Sequence, residues 1–479
     1  MRMRKFLFLT IILLTACCLS VFGRSRKTVV ILAVNDMHAS IDNMALLATV
    51  VDSVRQEQKN VIVVSSGDNR TGNPVNDKYP EICYPMTNLM NKIGFNLSAL
   101  GNHEFDDGAE TLRHTINTSN FRYVCSNLYA VDSLRLHVDP FKVIEIDGLR
   151  LGFLGLIQVK NDNYPEFHPK NNVGLSFTRP EVELRKYGQW MSQFCNASML
   201  LSHLGHEKDV ELTASAPYLD VIIGGHTHTD VIDNDFHNGV LVTQNVARLK
   251  SVTEIKLFFE DGQLVARSSH KILLNKQTPK PSIQALIESY NNNEIFKRVV
   301  AVADEDFTNT EALGCMMSDA LRQYTGANFA LQNGGGVRLP SLPKGDITIK
   351  DVYALDPFGN ELQVLTLTGE QIYKLLASAY ELDRCLPSFP SGFTYTMELD
   401  SATKAIKSLE VRMDNGKLLN RKKTYTVALN SYMATVYQFG QPIKSDGLGV
   451  SCTDALLAFI RKAGRLNYLN KKRVTIKRE

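Results

Sequence analysis

Five short clusters in the first half of the chain, each just after an apolar or strand-like run, constrain this sequence more than any other feature. They read Asn35-Asp36-Met37-His38, Gly67-Asp68-Asn69, Gly101-Asn102-His103-Glu104-Phe105-Asp106, Ser202-His203 and Gly224-Gly225-His226-Thr227-His228. Each offers Asp, Asn or His, donors that divalent transition metals accept. Residues 28–34, 61–64, 198–201 and 221–223 read as buried strands, and 96–100 as a weaker one. Asp36 and His38 are two apart, as are His226 and His228, so in extended chain each pair points one way. A carboxylate has two oxygens, so Asp68 is placed to bridge two ions. The Gly224-Gly225 pair lets the backbone turn sharply. An isolated Asp-x-His, Gly-Asp or His carries little weight. All five in this order, with helix-sized spacers, point to one two-metal centre built from loops at strand ends.

The order Asp-x-His, Gly-Asp, Gly-Asn-His-Glu, His, Gly-His-x-His resembles the calcineurin-like metallophosphoesterases, in their bacterial 5'-nucleotidase and UDP-sugar hydrolase branch. The resemblance implies that Asp36, His38, Asp68 and His228 hold one metal, and that Asp68, Asn102, His203 and His226 hold the other. It implies a catalytic pair, His103 oriented by Asp106, and hydrolysis by a metal-bound hydroxide with no covalent intermediate. A His, Asp and Asn ligand set without thiolate suits two divalent ions, with Mn, Zn, Co and Fe all open. The implied fold is α/β: a four-layer metallophosphoesterase sandwich, two mixed β-sheets flanked by helices, followed by a separate α/β C-terminal substrate-binding domain.

The second half resembles the 5'-nucleotidase C-terminal domain over about residues 300–460. It carries the Gly-rich turn Asn333-Gly334-Gly335-Gly336 with Arg338 after it, and the run Asp356-Pro357-Phe358-Gly359-Asn360. The resemblance implies substrate contacts from Asn102, Gly335, Arg338, Phe358 and Asn360. A guanidinium pairs bidentately with phosphate, and an aromatic face stacks on a base. Two departures stand out. Asn309-Thr310-Glu311 lies where the family often has arginines, and the usual Gly-Gly-Asp-Gly is reduced to Ser445-Asp446-Gly447. Tyr437 and Phe439 are the candidates for a second stacking ring. The expected substrate is therefore a small phosphoester, first a nucleoside 5'-monophosphate. The alternatives are 2',3'-cyclic nucleotides, UDP-sugars or another phosphorylated metabolite, and more remotely a non-catalytic nucleotide-binding protein.

Length predicts two or three domains. The expected division is a signal peptide at 1–23, a metallophosphoesterase domain at 27–275, a linker or hinge helix at 276–295 capped by Ser282, and the C-terminal domain at 296–465. The start, Met1-Arg2-Met3-Arg4-Lys5 followed by an apolar segment to Phe22, reads as a secretory signal and implies a periplasmic or otherwise secreted protein. Leu14-Thr15-Ala16-Cys17 also resembles a lipobox, which would anchor Cys17 to lipid in the cell envelope. Six cysteines lie outside this segment without a Cys-x-x-Cys pair, and free buried thiols are expected. A net charge of +3 gives no reason to expect a nucleic-acid polymer as partner. The oligomeric state is left open.

Overall fold

A computed structural model describes residues 25–160, 163–383, 386–439, 447–469 and 471–478. The expected signal segment with Cys17, as well as Cys385, Ser445 and Asp446, lies outside the described residues.

The strand Arg26–Val34 shows how the first half is built. Its apolar run is nearly continuous because both faces are covered. Val29, Ile31 and Ala33 face a second sheet, where they meet Phe153, Met199, Leu201 and Ile223. Val30, Leu32 and Val34 face the other way, onto Leu47, Val50 and Val51 of the helix Met44–Glu57. The second sheet repeats the pattern. Its outer residues Leu154, Leu156, Leu200 and Ile222 pack under Leu184, Met191 and Leu212. The result is helix, sheet, sheet, helix, the expected four-layer sandwich.

Both sheets are mixed. The first has seven strands in the order Gln263–Leu273, Ser251–Glu260, Arg26–Val34, Val61–Ser65, Leu97–Ala99, Arg122–Val124 and Val138–Asp139. Arg26–Val34, Val61–Ser65 and Leu97–Ala99 run parallel. The second has six strands, with Leu149–Ile157, Ala197–His203 and Val221–Ile223 parallel at its centre. In such sheets ligands collect beyond the carboxyl ends of the strands, and each of the five clusters begins there. The hairpin between Ser251–Glu260 and Gln263–Leu273 turns on Asp261 and Gly262, both at positive φ, as a two-residue turn of this hand requires.

The interval 276–295 contains the helix Pro281–Asn291. Its cap is Lys280 rather than Ser282, because Pro281 takes the first helical position, where its missing N–H costs nothing. The helix packs on the first half: the Tyr290 hydroxyl accepts from Asn88 Nδ2 at 2.6 Å, and its ring meets Tyr79 and Tyr84.

Beyond it stand a five-stranded sheet and two three-stranded ones. The helix Thr310–Thr325, capped by Asn309, is buried along Leu313, Met316, Met317, Ala320 and Leu321. One ion pair ties this helix to the last strand. Asp319 accepts from both Arg473 guanidinium nitrogens at 2.7 and 2.8 Å, from Tyr468 at 2.9 Å and from Ser391 at 2.6 Å. Burial alone would raise the Asp319 pKa, but the Arg473 pairing and the hydroxyls outweigh it and hold it below the usual carboxylate range. A carboxyl depressed in the folded state stabilises above its unfolded pKa, and that stabilisation is lost as pH falls through its folded value. The two side chains are 17% and 21% exposed, which discounts a full buried-pair penalty. Asp319→Asn is expected to cost ~2–3 kcal/mol near neutral pH. Urea unfolding should show that difference shrinking once the pH is low enough to protonate Asp319 in the parent.

Among the described residues five cysteines are free thiols, Cys83, Cys125, Cys195, Cys315 and Cys452, all but Cys195 buried. Among the described residues no helix is long and apolar enough to cross a membrane.

Candidate metal centre

The five loops converge. Asp36 Oδ1 lies 3.4 Å from His228 Nε2 and 4.0 Å from His203 Nε2. Asp68 Oδ2 lies 3.2 Å from His203 Nε2 and 3.9 Å from His103 Nε2. His38 Nε2 and His228 Nε2 approach to 3.2 Å, and His226 Nδ1 lies 3.1 Å from Asn102 Oδ1. Donors about 2.0–2.2 Å from one ion sit roughly 3 Å or a little more apart, so these are spacings a shared cation would set. Three overlapping groups have this geometry: Asp36, His38 and His228; His38, Asp68 and His103; and Asp36, Asp68 and His203.

The donor atoms are prepared for a cation. His38 Nδ1 faces the Thr71 carbonyl at 3.0 Å and His203 Nδ1 the Ser66 carbonyl at 2.7 Å, which fixes each proton there and turns Nε2 inward as a lone pair. His203 Nε2 is buried and has no hydrogen-bond partner among the described residues. Burial first, then Arg338, lowers the His38 pKa well below its ordinary value and keeps the ring neutral. At His203 burial opposes protonation, but Asp68 and Asp36 override it and raise the pKa to about 10. A carboxylate field that strong calls for positive charge. The residues therefore fit divalent ions.

The backbone is bent to reach this arrangement. Asp36, His38, Asp68, His226 and His228 all have positive φ, a region non-glycine residues rarely enter and which clusters at ligand-clamping sites. The loops also touch one another closely. A Cβ on Gly101 would sit 2.6 Å from the Asp68 backbone N and collide with Asp68 Oδ1. Gly101→Ala is accordingly expected to cost ~1–3 kcal/mol by overpacking. Calorimetric titration of the metal-free protein with Mn should show the accompanying loss of affinity.

Asp36 is oriented by Asn35 Nδ2 at 2.7 Å and by the His226 N–H at 3.0 Å. Asp68 Oδ1 accepts the His103 N–H at 2.8 Å. Glu104 lies in a quoted cluster, but the pattern gave it no role. Its buried carboxylate accepts the backbone N–H groups of Gly101 at 2.6 Å, Asn69 at 2.8 Å and Asp68 at 2.9 Å. It thus locks the second loop to the third. Burial and then the Asp68 charge push its pKa up to about 7.

His103 Nδ1 and Asp106 Oδ2 lie 2.8 Å apart. Burial works against a charged His103, but Asp106 and Asp68 prevail and raise its pKa. The second half of the chain closes over this cluster. Arg338 Nη2 reaches 3.2 Å from His38 Nε2. Phe358 stacks on His103 with ring centroids 5.7 Å apart, and the Arg338 guanidinium lies 5.5 Å from the Phe358 ring. A cavity of about 720 Å³ lies between the two halves, lined by Asp68, Asn102, His103, Arg338, Phe358 and Asn360 among others. Gly335 also lines it, but its N–H is already donated to Asp383 at 2.9 Å.

Two expectations for the aromatic ring fail. Tyr437 and Phe439 are 4% and 6% exposed and belong to the core. Tyr432, set edge-on to Tyr437 at 5.8 Å, lines the cavity instead, together with Phe167, Phe358 and Phe389. Arg248 was also missed. Its N–H donates to the Asp36 carbonyl at 2.8 Å and its Nη2 to the Arg338 carbonyl at 2.9 Å, so it joins a metal loop to the second half. No motif surrounds it in sequence.

The family model of calcineurin-like phosphoesterases matches residues 29–230, and that of the 5'-nucleotidase C-terminal domain matches residues 291–438. The chain joins a calcineurin-like phosphoesterase domain to a 5'-nucleotidase C-terminal domain. The phosphoesterase domain carries all five loops, and the C-terminal domain carries Arg338 and Phe358. The chain is 26% identical over 459 residues to endonuclease YhcR of Bacillus subtilis, covering 85% of this chain and 37% of that protein. It is 26% identical over 397 residues to a 5'-nucleotidase of Vibrio cholerae, covering 70% of this chain and 71% of the relative. It spans about a third of the length of the longer relatives it matches. The fold is that of a 5'-nucleotidase precursor from Thermus thermophilus, with TM-score 0.84 and 24% identity, covering 95% of this chain and all of that one.

Proposed function

We propose that this chain is a metal-dependent phosphoester hydrolase that converts nucleoside 5'-monophosphates to nucleoside and phosphate. One observation carries the reading. The C-terminal domain lays a guanidinium and an aromatic ring, Arg338 and Phe358, directly over the carboxylate and histidine cluster of the phosphoesterase domain. A phosphate beside His38 would meet Arg338 at once, and the organic part would extend into the cavity along Phe358 and Asn360.

Asp36, His38, Asp68 and His228 would hold one divalent ion, and Asp68, Asn102, His203 and His226 the other. When bound, the ions supply Lewis-acid polarisation of the phosphoryl oxygens and an acidified water. The chain supplies the rest. Asp106 holds the His103 ring and favours its charged form, so His103 balances charge building on the phosphoryl group and hands a proton to the leaving oxygen. Arg338 neutralises the substrate phosphate. Burial of Asp36, Asp68 and His203 keeps bulk water from weakening these interactions.

The same centre also suits cyclic nucleotides, UDP-sugars and other phosphorylated metabolites, and the missing arginines at 309–311 favour keeping those substrates in view. The N-terminal sequence supports export to the periplasm or beyond, with Cys17 a candidate lipid anchor. The domain division lies in the interval 276–295, and substrate enters between the two domains.

The test is phosphate release by metal-stripped protein resupplied with Mn, Co or Zn. Metal-restored release from AMP is the expected result. Turnover of an aryl phosphate without AMP turnover would move the substrate elsewhere. No turnover of either would overturn the hydrolase reading in favour of a binding protein.

A further inference from the structure

The C-terminal wall of the cavity carries a carboxylate that the mechanism does not use. Asp383 follows the helix Gly369–Leu382 and lines the cavity beside Leu382 and Tyr432. Its Oδ2 accepts the Gly335 N–H at 2.9 Å and Asn333 Nδ2 at 3.1 Å. Asn333 Oδ1 in turn accepts from Asn430 Nδ2 at 3.0 Å, and Asn430 caps the helix Ser431–Val436, which carries Tyr432. Asp383 is thus fixed to the glycine turn and, through two amides, to the aromatic beside it. Its charge is felt behind the wall too: the buried Tyr437 phenol is pushed well above its ordinary value, first by burial and then by Asp383.

A glycine-rich turn, with no side chains in the way, can bring backbone N–H groups up to an anion. Here the chain's own carboxylate takes the Gly335 N–H. Nor do residues 309–311 supply cations. They line the cavity as Asn309, Thr310 and Glu311, and Glu311 accepts the backbone N–H groups of Arg473 and Val474 at 2.8 and 3.0 Å. Among the described cavity-lining residues of the C-terminal domain, Arg338 is the sole cation, against Glu311 and Asp383 as anions, while the phosphoesterase domain adds Lys170 from the other side. One guanidinium answers one phosphate. A second anionic group on the Asp383 side of the cavity would meet like charge. A hydroxyl or amino group would instead find acceptor sites on Asp383 that the two existing bonds leave open.

We propose that Asp383 is a specificity-determining residue: it rejects substrates bearing a second anionic group beyond the scissile phosphate and admits phosphomonoesters whose organic part is uncharged or donates hydrogen bonds. This rests on the phosphoester hydrolase reading above. Discrimination arises from a built-in repulsive element as much as from an attractive one.

The test compares kcat/KM for AMP and ADP in metal-loaded parent and Asp383→Asn proteins, with an aryl phosphate reporting the metal centre. The parent is expected to prefer AMP by at least ~10-fold, and the variant to raise the ADP-to-AMP ratio by roughly 10-fold. Asp383→Glu, which keeps the charge, should retain the preference. In the parent alone, high salt should narrow it, because the site is only half-buried. An ADP-to-AMP ratio that neither Asp383→Asn nor salt moves overturns the assignment while leaving AMP hydrolysis intact. A parent that cleaves the aryl phosphate but neither nucleotide overturns the underlying substrate reading, and this proposal with it.

Discussion

Asp68→Ala should leave a folded chain that binds metal poorly and hydrolyses phosphoesters more than ~10²-fold more slowly than the parent, beyond the 10–100-fold that losing an outer-shell partner costs. Three relations support the size of the effect. Asp68 Oδ2 faces His203 Nε2 at 3.2 Å and His103 Nε2 at 3.9 Å, while Oδ1 accepts the His103 N–H at 2.8 Å. One carboxylate therefore reaches a proposed ligand of one ion and the proposed acid, and its oxygens lie within 4.8 Å of donor atoms on His38 and Asp36, proposed ligands of the other. Without it the strongest negative charge near His203 is gone, and the force that raises that imidazole's pKa falls with it. Circular dichroism should stay native-like, since the surrounding strands Arg26–Val34, Val61–Ser65 and Ala197–His203 are held by packing on both faces. Parent-like metal content and rate in the variant would remove Asp68 from its bridging role.

The second large effect is expected at Glu104, a residue that touches neither ion in this assignment. Its carboxylate receives three backbone N–H groups, from Asp68, Asn69 and Gly101. Glu104→Gln keeps the shape but replaces one acceptor oxygen with a donor, which turns an N–H group toward another N–H. Leaving one such buried donor unsatisfied costs ~1–3 kcal/mol. The loop bearing Asp68 then loses its anchor to the loop bearing Asn102 and His103, and metal affinity should drop by ~10–100-fold, as for other outer-shell partners. Thermal unfolding followed with and without added Mn separates the two consequences. The metal-free variant should already melt lower, and its metal-induced rise in Tm should be smaller than the parent's. An unchanged rise would mean that Glu104 supports the fold and not the metal loops.

The two residues differ in how visible they are in sequence. Asp68 sits in Gly-Asp after an apolar run, and the run, the turn and the ligand chemistry are all local. The same holds for Asp36, His38, His203, His226 and His228, and for the strands that carry them, which show as apolar segments; the stacking of those strands into a sandwich is implied only by the family resemblance. Glu104 directly follows His103 and lies two positions from Asn102 and Asp106, yet its partners Asp68 and Asn69 are 36 and 35 positions away. Nothing local says that a carboxylate will be used for backbone N–H groups instead of a metal. Arg248 and Asp383 are harder still. Arg248 reaches Arg338 across 90 positions, and Asp383 meets Gly335 across 48. Both lie in segments with no periodicity or motif. The sequence offers Tyr437 and Phe439 as candidate stacking rings, in the stretch upstream of the altered glycine motif. The helix Ser431–Val436 instead turns Tyr432 outward and Met433 inward, a choice set by Asn430 capping the helix at Met433 N. Side-chain direction at a short helix depends on that cap.

The central claim is that the five loops form one centre for two ions, and metal stoichiometry tests it most directly. The purified, metal-loaded chain should contain two divalent ions per polypeptide by elemental analysis, and crystals should show two anomalous peaks flanking Asp68. A fully active protein carrying one ion or none, or a second peak away from Asp68, would contradict the account.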